Sequence, residues 1–163
     1  MANRINDVSD PGEPGETVVE LGFNNLLGDF VHTFLLVVDT TGKDDQGNRI
    51  TRIFDYHGEQ DKYGELILLH GNYYDSSDYR GDQGNPRTVI FRIPGTSAEG
   101  LVAKLDDLMD RMAAAGPFDY RLLAQNSNSV PKTLLAALGY NMPHIPGAVI
   151  AGDACLLQVG RCR

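Results

Sequence analysis

Ser127 stands in the string Asn126-Ser-Asn-Ser129, where a loop gives way to a helix-like segment, and His32 stands in an apolar run far upstream. A hydroxyl and an imidazole are the minimum equipment for nucleophilic attack on a carbonyl. The alcohol alone is too weak, and a base must take its proton. A helix N-terminus adds unpaired N–H groups and a partial positive charge, which favour a developing anion. The same four residues are also good N-caps, so the string reads equally as a helix start without chemistry.

His32 shares a strand face with Phe30, Phe34 and Leu36. A histidine in such company is either a base or a core imidazole, and in both cases it needs a polar partner. His57 closes the next strand-like run, two residues after Asp55. Paired strands lie about 5 Å apart, so His57 or Asp55 could orient His32. Ser127, His32 and His57 are therefore the candidate catalytic residues. His70 and His144 are weaker candidates, one closing a strand and the other lying between prolines.

The elements that must position these groups can be read along the chain. Residues 1–17 are polar, with Pro11, Gly12, Pro14 and Gly15 close together, and are expected as a flexible arm before a single domain over 18–163. Residues 18–27 fit either a short strand or a helical turn. Residues 29–39 are rich in aromatic and β-branched side chains on both faces, which suits a central strand. Residues 50–57 return as a hairpin partner, and 65–70 and 87–93 make two more strands. The polar stretch 71–86 between them is expected as a solvated loop or a lid over a cleft. Thr96-Ser-Ala-Glu99 has the capping-box pattern. Leu101, Leu105, Leu108, Met109 and Met112 follow at helical spacing up to Gly116-Pro117. Val130, Leu134, Leu135 and Leu138 repeat that period. Pro131 is tolerated only in a first turn and puts the second helix's start beside Ser127, and Gly139 suits its end. The tail from Pro143 looks irregular. The sum is an α+β fold: an antiparallel sheet of four or more strands packed against two or more helices.

Bulk properties narrow the function. The 163 residues carry a net charge of −8, the wrong sign for a nucleic-acid binder or for docking on anionic lipid. No apolar stretch reaches the ~18 residues of a membrane span, and the N-terminus lacks an apolar signal region. The expected location is the cytoplasm, or outside it by a signal-independent export route. Cys155 and Cys162 do not have zinc-ligand spacing and are expected to be structural or incidental. The aspartates of 75–82 depart from the calcium-loop pattern, and Arg80-Gly81-Asp82 is too short a string to carry adhesion. No metal or other cofactor is expected.

Two stretches together carry a resemblance. His32-Thr-Phe-Leu-Leu-Val-Val38 opens a strand, and Phe118-Asp-Tyr-Arg-Leu-Leu-Ala-Gln-Asn-Ser-Asn-Ser-Val-Pro-Lys-Thr-Leu-Leu135 leads into a helix. Over about residues 30–140 the order resembles the circularly permuted papain-like superfamily, which holds permuted NlpC/P60 peptidases and lecithin–retinol acyltransferase-like enzymes. The resemblance implies a permuted papain-like topology. It also implies hydrolysis or acyl transfer on a peptide, peptidoglycan-peptide or lipid acyl substrate. Where that family has its nucleophilic cysteine, this chain has Ser127. Three readings stay open: a natural serine nucleophile, a Cys-to-Ser trap, or a catalytically inactive relative that binds a partner or acts as a secreted effector.

Overall fold

A computed structural model describes residues 15–81, 85–152 and 154–159. The strands are β1 (Glu16–Leu27), β2 (Phe30–Asp39), β3 (Arg52–Gln60), β4 (Leu66–Asn72) and β5 (Arg87–Pro94). The helices are α1 (Glu99–Ala115) and α2 (Ser129–Ala137). The strands form one sheet in the order β4-β3-β2-β1-β5, with every neighbouring pair antiparallel. The architecture is α+β. The run 29–39 is the central strand, as its two-sided apolar pattern requires. Residues 18–27 are strand, not helix. β1 starts at Glu16, inside the stretch expected to be an arm, and Thr17 is buried there. Residues 1–14 of that stretch lie outside the described ones.

Alternation along the strands gives the sheet two buried faces. Val19, Leu21, Leu35, Val37 and Tyr56 face the helices, meeting Leu105, Met109 and Met112 of α1 and Val130, Leu134 and Leu135 of α2. On the other face Val18, Phe34, Leu36, Val38 and Ile53 are covered by Tyr73 and Tyr79. These tyrosines belong to the polar stretch after β4. That stretch is not simply a solvated loop. It opens with a 3-10 turn, Tyr73–Asp75, and Tyr73 stacks on Phe34. The buried Asn85 donates to the Tyr73 hydroxyl and to the Asp78 carbonyl, each at 2.6 Å. An aromatic nucleus thus holds a polar segment down on the sheet.

The Thr96–Glu99 capping box does not form. The N-cap of α1 is Ala98, without a side-chain cap. Its amide donates instead to Asp39 Oδ2 at 3.2 Å, and the Glu99 amide donates to Ser97 Oγ. A buried carboxylate at the end of β2 therefore takes over the capping role. At the other end, Gly116 follows α1 as expected. Gly139, at φ +89°, follows the C-cap Leu138 of α2, a left-handed position that favours glycine.

The feature that positions the site is a split between β2 and β3. Their ladder runs from Asp39↔Arg52 to Leu35↔Tyr56 and stops. Beyond it β2 continues to Phe30 on β1 and β3 to Gln60 on β4, without pairing to each other. The tip of α2 fills the gap. Asn128 Oδ1 accepts from the Thr33 amide at 2.7 Å, and Asn128 Nδ2 donates to the Val31 carbonyl at 3.0 Å. One side chain thus replaces the ladder bonds that β3 would have made. On the β3 side the approach depends on Gly58. A Cβ there would lie 2.8 Å from Val130 Cγ2 and 3.2 Å from Ser127 Cα.

Candidate active site

Each residue of Asn126-Ser-Asn-Ser129 has its own task. Asn126 Oδ1 accepts from the Asn128 amide at 2.8 Å. Ser129 Oγ accepts from the Asn126 amide at 3.2 Å. Asn128 anchors the tip to β2, with a further bond to the Ala151 carbonyl at 2.9 Å. These contacts satisfy the helix entrance without Ser127, whose hydroxyl is left to point at β2.

There it meets His32. Ser127 Oγ lies 3.0 Å from His32 Nδ1. On the far side of the ring, His32 Nε2 lies 3.0 Å from Asp78 Oδ1. A carboxylate can only accept, so Nε2 carries the proton and Nδ1 presents its lone pair to the serine hydroxyl. Asp78 is buried, 3% exposed. Its amide donates to Ser76 Oγ at 3.1 Å, and the Asn85 bond to its carbonyl pins the loop. The result is a hydroxyl–imidazole–carboxylate array drawn from three parts of the chain.

His57 is not the group that orients His32. The two rings meet edge to face with centroids 6.3 Å apart, and Asp78 occupies the orienting place. β3 runs on past His57, so the residue is buried within the strand rather than at its end. It is ringed by carboxylates: Asp55 Oδ2 at 2.9 Å and Asp78 Oδ2 at 3.5 Å from Nδ1, and Glu59 Oε1 at 3.3 Å from Nε2. Burial opposes a charge on the ring and is the largest single influence. The neighbouring Asp55, then Asp78 and Glu59, together outweigh it and raise the His57 pKa above the ordinary value. Asp55, His57 and Asp78 offer ligand atoms that all lie within 4.8 Å of one another, the one such group among the described residues.

The other histidines lie elsewhere. His70 stacks on Tyr56 and sits 3.2 Å from Asp106. It borders a cavity of about 440 Å³ between β3, β4 and α1. Burial first, and then the Asp106 bond, push the Tyr56 hydroxyl pKa up. His144 borders a cavity of about 330 Å³ beside Lys132 and Ile145. Neither cavity is lined by Ser127 or His32, so their size does not locate the chemistry. Arg80 donates to the Ser77 carbonyl at 2.7 Å, and Asp82 lies outside the described residues. Cys155 is disulfide-bonded, in keeping with a structural part. The described residues of the tail form no helix or strand, yet they pack: Val31 N donates to the Val149 carbonyl, and Leu156 N to Thr133 Oγ1. No helix among the described residues is long and apolar enough to cross a membrane.

Asp78 is the residue that sequence reasoning missed. Its one signal was indirect: an acidic side chain in a tyrosine-rich segment, where the aromatic groups could hold the segment against the sheet. Compared with protein-family models, with curated proteins and with solved structures, the chain matches none of them.

Proposed function

We propose that the protein is a hydrolase or acyltransferase that attacks an amide or ester carbonyl with Ser127. His32 takes the serine proton through Nδ1 and returns it to the leaving group. Asp78 holds the ring in that tautomer and stabilises the imidazolium that forms. The Asn128 amide is already committed to Asn126 Oδ1, so the oxyanion falls to the Ser127 N–H at the helix tip. The observation that carries this reading is the relay itself, with 3.0 Å on each side of one imidazole. Chance placement of a cap serine would not leave its hydroxyl on a histidine backed by a buried carboxylate.

The order of elements resembles the permuted papain-like enzymes and supports peptide, peptidoglycan-peptide or lipid acyl groups as substrates. The serine in the cysteine's place favours a second reading, a binding module that has kept the cleft. A fluorophosphonate probe separates the two. Labelling of the wild type and none of Ser127→Ala supports the enzyme. No labelling of the wild type, with thioester-forming activity gained by Ser127→Cys, supports the inactive relative. No reaction of either protein with any acyl donor overturns the enzyme reading.

A further inference from the structure

Behind the relay, on the same sheet face, the buried side chains Asp55, His57 and Asp78 meet: each carboxylate leaves one oxygen without a hydrogen-bond partner, Asp55 Oδ1 and Asp78 Oδ2, and the two carboxylates flank His57 Nδ1. These residues are 1%, 4% and 3% exposed, so water does not satisfy those atoms from outside. Asp55 Oδ2, by contrast, accepts from Ser76 Oγ, and Asp78 Oδ1 is taken by His32 and Asn24.

The other nitrogen of His57 decides how this space should be read. Nε2 faces Glu59 Oε1 at 3.3 Å, and Glu59 in turn accepts from Ser77 Oγ. A ring that donates through Nε2 to a carboxylate turns the Nδ1 lone pair toward Asp55 and Asp78. Two carboxylates converging on one nitrogen call for positive charge between them; a proton on Nδ1 would serve Asp55 alone and leave Asp78 Oδ2 unpaired, whereas a divalent cation serves both. The carboxylate–histidine–metal arrangement has this order, with the outer carboxylate fixing the tautomer of a ligating ring. The spacing agrees. A cation about 2.1 Å from each ligand sets neighbouring ligand atoms about 3.0–3.5 Å apart. His57 Nδ1 lies 3.5 Å from the unpartnered Asp78 Oδ2 and 2.9 Å from Oδ2 of Asp55, the carboxylate whose other oxygen, Oδ1, is unpartnered.

We infer that Asp55, His57 and Asp78 form a binding site for a first-row divalent transition cation, with Glu59 as the outer carboxylate. One nitrogen and two carboxylates suit zinc, cobalt or manganese better than magnesium or calcium, which prefer oxygen alone. Asp78 then serves two neighbours, His32 through Oδ1 and the cation through Oδ2. This site stands on its own ligands and does not depend on Ser127 being a nucleophile.

The test is a titration of chelator-treated full-length protein with Co²⁺ and Zn²⁺. It is followed by the visible absorption of Co²⁺, by calorimetry and by thermal unfolding. The expected result is one equivalent bound, with d–d bands of a nitrogen–oxygen site and a melting temperature that rises with metal concentration. Ser127→Ala should bind as the wild type does. Asp55→Asn and His57→Gln should each lose at least about 100-fold in affinity. Glu59→Gln keeps all three ligands, stays informative if those two do not fold, and should lose about 10–100-fold. No binding by the wild type overturns the site, and so does binding that survives these substitutions unchanged.

Discussion

At the scale of the residue, catalysis would depend on which nitrogen of His32 holds the proton. Asp78 fixes that choice because a buried carboxylate offers no hydrogen to donate. Replacing it with asparagine preserves size and removes the charge. The amide can then present either its NH₂ or its oxygen to Nε2, and the imidazolium formed during attack loses its counter-charge. Asp78→Asn is expected to lower kcat on an acyl substrate by about 10²–10⁴, with KM little changed. Steady-state kinetics beside circular dichroism checks this. A variant that folds and turns over at the wild-type rate would remove Asp78 from the relay.

At the scale of the element, the site exists because two strands part and a helix tip enters. Asn128 carries most of that junction. Its side chain bonds the Thr33 amide and hydroxyl, the Val31 carbonyl and the Ala151 carbonyl. It is 3% exposed, so truncation leaves several buried backbone groups without partners, which is far costlier than losing a surface bond. Asn128→Ala is expected to destabilise the protein by about 2–4 kcal/mol. It should also loosen the 3.0 Å contact between Ser127 and His32, so activity falls further than the folded fraction does. Urea unfolding and activity per folded molecule give the two numbers separately. A loss below about 0.5 kcal/mol would mean that the gap between β2 and β3 is held open by other contacts.

At the scale of the whole molecule, the sequence made the layers legible and hid the long-range polar links. Period-2 and helical-period patterns are local, so β2, β3, β4, β5 and both helices could be read where Leu36, Ile53, Ile67, Phe91, Leu105 and Leu134 recur. The Ser127–His32 meeting could be expected because each lies at a recognisable end or face. Asp78 could not, because its place depends on Tyr73 and Asn85 holding a loop that has no periodicity of its own. The place of His57 is hidden for a related reason: hairpin geometry predicts pairing with β2, and the split that prevents pairing is made by residues about 70 positions later. Asp39 was hidden in the same way. The capping box at Thr96–Glu99 is local and plausible, yet the acceptor that caps α1 comes from the end of β2. Asp39 accepts from the Thr41 amide and hydroxyl and from the Ala98 amide, and pairs with Arg52 at 2.7 Å. Burial is the largest influence on it and acts to raise its pKa. The Thr41 bonds, then Ala98 and Arg52, outweigh burial and hold the carboxyl below the usual range. A depressed carboxyl stabilises the fold at pH values above its unfolded pKa, and that stability is lost as the pH falls through its folded pKa. Asp39→Asn should therefore lower the melting temperature by about 2–10 °C at neutral pH. The gap between the two proteins should stay constant down to about pH 4 and close below it. Thermal unfolding of both across an acid series measures the gap. A gap that persists unchanged in acid would show that Asp39 acts through shape rather than charge, and that α1 is anchored to β2 by packing alone.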